Sequence, residues 1–422
     1  MIHLEGALFS RDTEIMIAAL ENLGFALSTN PTENRISLRG LGGQIPNSVA
    51  HINVGNAGTA ARFLTAFLAL KDGGVYHLDG DPQMRARPMQ GLLESLEQLG
   101  AAQFEFEGKP YHFPFTMRTS GVQNDTAQVD ASASSQILSA LLLALPASGK
   151  RISLECPDVR PAYVRVTEAV KSDFGIQESV PMQSDGQSTQ VYTVEAQPYH
   201  SPKDNRYFIE PDLSAASYFL ALTLLHGGQL SIPNISPQPI QGDASFAHLL
   251  KNHGLEIDTD NQHWILRRAP DALRTAQSVH HNFNLFSDTF LTYAAIAPLL
   301  NQETRIEGIA HTRKQETDRV SAMACELKKL GQTVHETDDS LHIISNKEAL
   351  IERAKQAIDN GAPLTVETYE DHRFAMSFAI LGSYDLLGDG RSWLSLLDPH
   401  CCGKTFPNFF SALDSLRNRP DA

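Results

Sequence analysis

The sequence predicts an α/β protein with two domains, each assembled from small repeated units. At 422 residues the chain is too long for a single ordinary core, which favours two domains. Strand-like segments such as GVYHLDG (74–80) alternate with helix-like segments such as ARFLTAFLAL (61–70). In addition, several helix-like segments end in the same way, with apolar residues at helical spacing followed by glycine.

These closing glycines indicate a repeat. They are Gly24, Gly100, Gly175, Gly254 and Gly331, which lie 75 to 79 residues apart. Glycine suits this position because the residue after a helix often has a left-handed backbone. The separation exceeds the period of roughly 20 to 50 residues that is typical of solenoids, and it fits a small α/β module of several strands and about two helices.

The two ends of the repeat differ. The segment FPNFFSALDSL (406–416) would close a sixth unit. The first unit has only 24 residues up to its glycine, so we expect it to be incomplete. Either the protein has lost its opening segment, or Met1 is not the native start.

Composition and charge exclude several classes of protein. The net charge of −15 argues against nucleic acid or an anionic membrane as the main partner. No apolar run approaches the roughly 18 residues that span a bilayer.

Four cysteines, Cys156, Cys325, Cys401 and Cys402, favour a reducing compartment without a disulfide framework. The sequence has no second pair of ligands at zinc spacing after Cys401 and Cys402, so we expect no metal site. A reducing compartment predicts a cytoplasmic protein.

Seven segments, taken in order, carry a family resemblance. They are GNAGTAARFL (55–64), GDPQMRARPM (80–89), SASSQILSALL (132–142), PDLSAASYFLAL (211–222), KQETDRVSAM (314–323), TYEDHRFAM (368–376) and DPHCCGKTFPNFF (398–410). Together they resemble the enolpyruvyl transferase family, and specifically its shikimate branch. The resemblance implies two lobes, 1–209 and 210–422, each of three similar α/β units, with the active site in the cleft between them.

The reaction of this family suggests which residues to consider. It moves the enolpyruvyl group of phosphoenolpyruvate to a hydroxyl of shikimate 3-phosphate and releases phosphate. Both substrates are polyanions, and arginine binds carboxylates and phosphates with paired hydrogen bonds. The positions that the resemblance assigns to phosphoenolpyruvate are Gly58, Arg87, Gln136, Arg319, Arg373 and Lys404. Arg319 and Arg373 would bind its carboxylate. Arg87 and Lys404 would face its phosphate, close to a helix that starts at Gly58.

The resemblance also implies the groups that handle protons and the acceptor. Asp288 and Glu316 match the catalytic carboxyl groups, with His372 beside them, and two carboxyl groups can share the polarising of a hydroxyl and the relay of a proton. Glu316 and Arg319 are three residues apart, which predicts one helix face. The positions assigned to shikimate 3-phosphate are Ser134, Ser135, Gln136, Arg160, Tyr163, Asp288 and Gln315. No metal or organic cofactor is implied, and we expect a monomer.

The sequence departs from the family pattern in three places. The opening Gly-Ser-Lys-Ser motif, with an arginine shortly after it, is absent. Gln315 stands where the family has a lysine, and VRPAY (159–163) places Arg160 near a family serine. We hypothesise that Arg160 compensates for the missing lysine near the acceptor phosphate. Removing Arg160 should then weaken the binding of shikimate 3-phosphate.

Three interpretations of function are consistent with the sequence. The first is a synthase of the shikimate branch whose opening residues are missing from this sequence. The second is an enolpyruvyl transferase with a different hydroxyl acceptor, and the third is a non-catalytic paralogue that binds an anion or a partner. If the motifs that contain them are set aside, Arg62 and Arg87 have the pattern of surface residues. His280 and His281 have the pattern of a solvated loop.

Overall fold

A computed structural model describes residues 1–157, 161–183, 189–269 and 276–417. The chain divides into two units, Met1–Ile209 and Glu210–Ala422. Each unit mixes helices with sheets and has its own cluster of buried apolar side chains. No helix in the described ranges is long and apolar enough to cross a membrane.

The described part of unit 1 contains three four-stranded sheets, with strand orders β12-β1-β3-β2, β4-β5-β7-β6 and β10-β11-β9-β8. The strands are β1 (Ile2–Glu5), β2 (Leu27–Asn30), β3 (Arg35–Leu38), β4 (Val49–Asn53), β5 (Asp72–Asp79), β6 (Ala102–Phe106), β7 (Phe115–Ser120), β8 (Thr126–Gln128), β9 (Ile152–Pro157), β10 (Met182–Gln183), β11 (Thr189–Val194) and β12 (Arg206–Phe208). The helices are α1 (Arg11–Asn22), α2 (Gly58–Leu68), α3 (Pro82–Ala86), α4 (Gln90–Gln98), α5 (Gln136–Ala144) and α6 (Pro161–Asp173).

The described part of unit 2 also contains three sheets, with strand orders β13-β15-β14, β16-β17-β19-β18 and β20-β21. The strands are β13 (Gln229–Ile232), β14 (Leu255–Asp260), β15 (His263–Arg268), β16 (Ala276–Asn282), β17 (Asn301–Glu307), β18 (Thr333–Glu336), β19 (Ser340–Ile344), β20 (Leu364–Val366) and β21 (Leu394–Leu396). The helices are α7 (Leu213–His226), α8 (Ala244–Lys251), α9 (Phe290–Leu300), α10 (Arg319–Lys329), α11 (Lys347–Asp359), α12 (His372–Ser383) and α13 (Phe409–Arg417).

Four helices connect parallel strands and so begin at equivalent places. The pairs β4–β5, β8–β9, β16–β17 and β20–β21 are parallel, and α2, α5, α9 and α12 join their members. These helices are strongly apolar because they lie in the cores, and every residue of α9 is buried. In such a crossover the helix starts just beyond the carboxyl end of a strand, which is where α/β proteins commonly bind ligands.

The closing glycines confirm the repeat at the level of the backbone. All five have a positive φ, from +61° at Gly100 to +91° at Gly24. A Cβ added at Gly24 would lie 2.9 Å from the Cβ of Pro46, so both conformation and space favour glycine there. The predicted sixth closing helix is α13.

The expected solvated loop at His280 and His281 is wrong. Both residues lie on β16, which pairs in parallel with β17. His280 pairs with Glu307 at 2.8 Å, while the His281 ring packs edge-on against Tyr293 at 5.6 Å between centroids. The local sequence has little of the apolar alternation that predicts a strand. Pairing with β17, a long-range contact, holds this strand in place.

A buried ion pair on α6 should be required for the stability of unit 1. Lys171 donates to both oxygens of Glu168, at 2.8 and 3.0 Å, and to Ser179 at 3.1 Å. Its side chain is fully buried. Lys171→Met would leave the Glu168 charge unpaired inside the protein, so we expect a loss of about 3–5 kcal/mol in the free energy of unfolding, measured by urea denaturation followed by circular dichroism.

The exposed pair Arg151–Glu195 provides the control for this prediction. Its nitrogen and oxygen are 3.0 Å apart, but the two side chains are 72% and 45% exposed. We expect Arg151→Met to change the free energy of unfolding by no more than about 1 kcal/mol. Equal effects of the two substitutions would contradict a stabilising role for the buried pair.

A buried histidine predicts acid sensitivity in unit 2. Burial, helped by the nearby His281, lowers the pKa of His253 to about 4, and its Nε2 lies 2.8 Å from the hydroxyl of Tyr293. The unfolded chain binds this proton near pH 6.5, whereas the folded protein binds it only near pH 4. Stability is therefore retained above pH 6.5 and decreases, by up to about 3 kcal/mol from this group, as the pH falls towards 4.

The variant His253→Gln tests this assignment, since glutamine keeps a hydrogen-bonding group but does not titrate. We expect the variant to be less stable at pH 7.5 and to lose less stability than the unsubstituted protein between pH 7 and pH 5. Parallel curves of melting temperature against pH for the two proteins would show that other groups cause the acid sensitivity.

Candidate active site

Several of the predicted site residues lie where helices begin. In unit 1, α2 starts at Gly58 and α5 at Gln136. In unit 2, Asp288 is in the 3-10 turn that leads into α9, and α12 starts at His372. Helix N-termini carry partial positive charge and unpaired backbone N–H groups, so this placement favours anionic ligands.

Arg319, the first residue of α10, is at the centre of the site groups in unit 2. Its guanidinium group is almost fully buried, and all five of its N–H groups have an acceptor. Asp371 accepts two of these hydrogen bonds, at 2.7 and 3.2 Å. The other acceptors are Glu316 at 2.9 Å, Asp288 at 3.2 Å and Gln315.

Glu316 and Arg319 are therefore in contact, but the predicted shared helix face is wrong. The helix begins only at Arg319, and Glu316 lies in the turn before it. The helix cannot start earlier because Asp318 is its N-cap, with a side chain that accepts from the backbone N–H of Ser321 at 3.0 Å. Arg313 holds the Asp318 carboxylate from the other side, at 2.9 and 3.0 Å.

The start of α12 is held by Asp371, a residue that the sequence analysis missed. Its carboxylate accepts from the backbone N–H of Arg373 at 2.9 Å while it also binds Arg319. Its place directly before His372, in EDHR, is the available signal, since aspartate is a common N-cap. The two preceding residues, Tyr369 and Glu370, have φ values of +57° and +54°, which non-glycine residues seldom adopt. Glu326 holds this turn by accepting from the hydroxyl of Tyr369 at 2.5 Å.

Two further predicted cations belong to the same cluster. Arg373 donates to Asp288 at 2.8 Å, and the ammonium nitrogen of Lys404 lies 3.5 Å from Glu316. Burial by itself raises the pKa of Asp288, but Arg373 and Arg319 outweigh burial and hold that pKa below its ordinary value. Asp288 is therefore ionised at neutral pH.

His372 is a neutral imidazole at neutral pH. Burial, together with the nearby Arg373, lowers the pKa of His372 well below its usual value. Neither ring nitrogen has a hydrogen-bond partner among the described residues. Nδ1 lies 3.6 Å from a carboxylate oxygen of Asp371, which is too long for a hydrogen bond.

In unit 1, two arginines lie over the start of α2. A Cβ added at Gly58 would be 3.0 Å from guanidinium nitrogens of both Arg62 and Arg87, so a larger residue would require both side chains to shift slightly. Buried Nε and Nη1 of Arg87 have no hydrogen-bond partner among the described residues. Two cations at a helix N-terminus, one of them with unused donors, form an arrangement that suits a phosphate group.

Arg62 is the second residue that the sequence analysis missed, because the expected surface position is wrong. The side chain is 2% exposed, and its Nη1 donates to Gln136 at 3.1 Å. Gln136 also donates to Thr59 at 2.9 Å and so joins the starts of α5 and α2. The available signal was spacing, since Arg62 lies four residues after Gly58, one helical turn along α2.

The residues predicted to bind the acceptor are described only in part. Ser134 and Ser135 lie directly before α5, where the Ser134 hydroxyl accepts from the backbone N–H of Gln136 at 3.2 Å. Tyr163 lies on α6. Gln315 is bonded to Arg319, as described above. Arg160 falls outside the described residues.

The chain is similar to proteins of one known family. The family model for EPSP synthase (3-phosphoshikimate 1-carboxyvinyltransferase) matches residues 2–413. A 3-phosphoshikimate 1-carboxyvinyltransferase from Opitutus terrae is 44% identical over 421 residues, which cover 99% of this chain and 89% of that protein. One from Nostoc punctiforme is 36% identical, covering 97% of this chain and 88% of that protein.

Solved structures show the same fold. The EPSP synthase of Acinetobacter baumannii matches with a TM-score of 0.70 and 21% identity, covering 98% of this chain and 89% of the other. The enolpyruvyl transferase NikO of Streptomyces tendae matches with a TM-score of 0.65 and 13% identity, covering 98% and 88%. The two-domain α/β fold of the enolpyruvyl transferases is thus confirmed, and with the family model and the relatives it shows that this chain belongs to the EPSP synthase family.

Proposed function

We propose that this protein transfers the enolpyruvyl group of phosphoenolpyruvate to a hydroxyl of shikimate 3-phosphate and releases phosphate. This is a step of the shikimate pathway, which leads to the aromatic amino acids. Membership of the family supports this function. The main supporting observation is that Asp288 accepts hydrogen bonds from both Arg319 and Arg373. Two guanidinium groups therefore lie beside one ionised carboxylate. A cytoplasmic location and a monomeric state remain predictions.

Arg319 and Arg373 would bind the carboxylate of phosphoenolpyruvate. Because every N–H group of Arg319 already has an acceptor, the substrate carboxylate has to replace one of them. Gln315 is the neutral acceptor among them. Replacing it therefore costs Arg319 less electrostatic stabilisation than replacing a carboxylate would. The bidentate contact with Asp371 holds Arg319 in place during the exchange.

The phosphate group would bind at the start of α2, where Arg87 has unused donors and Arg62 adds a second charge. Lys404 would also face the phosphate. As phosphate leaves, negative charge develops on it, and fixed cations stabilise that charge without reorganisation.

The two catalytic carboxyl groups would divide the proton transfers. Asp288 is ionised and suited to accept a hydrogen bond from the attacking hydroxyl of the acceptor. Glu316, between Arg319 at 2.9 Å and Lys404 at 3.5 Å, would relay the proton that the methylene carbon gains. When phosphate leaves, the methyl group formed in this way returns one proton to Glu316 and the double bond is restored. The proton that the attacking hydroxyl loses passes through Asp288 to the leaving phosphate. His372 would contact the reacting groups as a neutral imidazole.

A transferase with a different hydroxyl acceptor is the second candidate. The observation that favours it is Gln315, which stands at the position of a family lysine and bonds to Arg319 instead of presenting a charge. The residues proposed for shikimate 3-phosphate, which are Ser134, Ser135, Gln136, Arg160, Tyr163, Asp288 and Gln315, would then recognise another alcohol.

Phosphate release tests the proposed function. We expect inorganic phosphate to form only when phosphoenolpyruvate and shikimate 3-phosphate are both present. Arg373→Gln should lower kcat/KM at least about 100-fold, because a charged donor to the reacting substrate is lost. The matched control is Arg391→Gln, since Arg391 pairs with Asp389 at an exposed position.

Two outcomes would contradict this proposal. One is the absence of phosphate release by the unsubstituted protein, with release on another alcohol supporting the second candidate. The other is an equal activity of the Arg373→Gln and Arg391→Gln variants.

The phosphate site in unit 1 gives a separate prediction. Arg87→Gln should raise the KM for phosphoenolpyruvate about 10-fold or more, because a hydrogen bond from a charged donor is typically worth about 1.5–3 kcal/mol. Arg85→Gln is the control two residues away, where the arginine is 48% exposed and pairs with Asp79. A steady-state assay in which phosphoenolpyruvate is varied measures both, and similar KM values for the two variants would argue against a role for Arg87.

A further inference from the structure

Asp243 is a buried carboxyl group that the proposed mechanism does not use. It precedes α8 and is 4% exposed. Its Oδ1 accepts from the hydroxyl of Ser214, on the first turn of α7, at 2.8 Å. No cation lies within ion-pair distance of its carboxyl group in the described part of the chain.

Helix capping does not account for this carboxyl group. Asp243 occupies the N-cap position of α8, but its side chain makes no capping hydrogen bond and its backbone is helical. Capping is the usual structural reason for an aspartate at this position. Since burying a carboxyl group is unfavourable, its presence here requires a different reason.

Helix α7, which carries Ser214, packs against the 3-10 turn that contains Asp288 and against α12. Three charged groups on these elements act electrostatically on Asp243. They are Asp288 before α9, Arg373 on α12 and Asp212 at the start of α7. Burial raises the pKa of Asp243 to about 7, and the charge of Asp288 adds to this effect. Ser214 and Arg373 act in the opposite direction.

The charge balance of the cluster shows what the titration of Asp243 would do. Three cations, Arg319, Arg373 and Lys404, are matched by three carboxylates, which belong to Asp288, Glu316 and Asp371. An ionised Asp243 adds a fourth negative charge, and the carboxylate of a bound substrate would add a fifth. Repulsion between these last two charges is relieved if Asp243 takes up a proton.

We propose that Asp243 is a positioning residue that takes up a proton when a carboxylate binds at Arg373, so that proton uptake and substrate binding are coupled. This inference rests on the proposed function for the identity of the substrate. The direction follows from linkage. Because the bound anion favours the protonated form of Asp243, affinity is highest when Asp243 is already protonated and falls as the pH rises.

The test is the pH dependence of the KM for phosphoenolpyruvate at saturating shikimate 3-phosphate. In the unsubstituted protein we expect this KM to rise about 3- to 10-fold between pH 6 and pH 8.5 through Asp243, which corresponds to a typical coupling between two sites. In Asp243→Asn, which keeps an oxygen for Ser214 but stays neutral, this component of the rise should be absent. Titration of phosphoenolpyruvate itself affects all variants equally and cancels in the comparison.

Two further variants separate coupling from a purely structural role. Ser214→Ala keeps the carboxyl group but removes a hydrogen bond that lowers its pKa, so the rise in KM should move to higher pH. Asp359→Asn, at the exposed end of α11, should behave like the unsubstituted protein. A structural role would lower the melting temperature of Asp243→Asn and leave the pH profile of KM unchanged, and that result would overturn the proposal.

Infrared difference spectroscopy provides a readout that does not need turnover. Adding phosphoenolpyruvate at pH 7 should increase the absorption of protonated carboxyl groups in the unsubstituted protein and not in Asp243→Asn. If shikimate 3-phosphate is not the acceptor, phosphate release fails while this signal remains, so failure of the proposed function and failure of the coupling are distinguishable. An unchanged carboxyl signal, or an equal change in the variant, would overturn the proposal.

Discussion

The arrangement of unit 2 depends on the burial of one guanidinium group. Arg319 cannot stay charged inside the protein unless its donors are paired, because an unpaired buried ion loses several kcal/mol of hydration without compensation. Asp371, Glu316 and Asp288 supply this pairing from three different places in the chain. The requirement therefore brings together the starts of α9, α10 and α12. The groups that would bind and convert the substrate are the same ones that hold these helices in register.

The two units compensate charge in different ways. In unit 2 the buried cations and carboxylates of the cluster balance, so a bound anion has to replace an existing acceptor. In unit 1, Arg87 keeps buried donors without a partner among the described residues, and a second guanidinium group lies beside it over the start of α2. Unit 1 therefore suits an anion that adds negative charge, such as phosphate. Unit 2 suits a carboxylate that exchanges with one already present.

The sequence predicted the features that depend on local pattern. The closing glycines, the alternation of helices with strands and the motif residues follow from spacing and residue type. Family resemblance added the roles proposed for Arg319, Arg373 and Glu316. Features that depend on contacts distant in sequence were missed. Helical spacing places Arg62 one turn after Gly58, but it does not indicate the contact with Gln136, which lies 74 residues away. Nothing near His281 indicates a strand, because its pairing partner is the distant β17. The double role of Asp371, as helix cap and as ligand of Arg319, likewise needs the fold to be known.

The most direct test of the central claim is a crystal structure of the protein grown with phosphoenolpyruvate. We expect the substrate carboxylate to accept hydrogen bonds from Arg319 and Arg373. Arg319 keeps both hydrogen bonds to Asp371, and another of its acceptors, Gln315 in the simplest case, is displaced. A structure in which the substrate binds elsewhere, while Arg319 keeps all five of its present hydrogen bonds, would contradict this expectation.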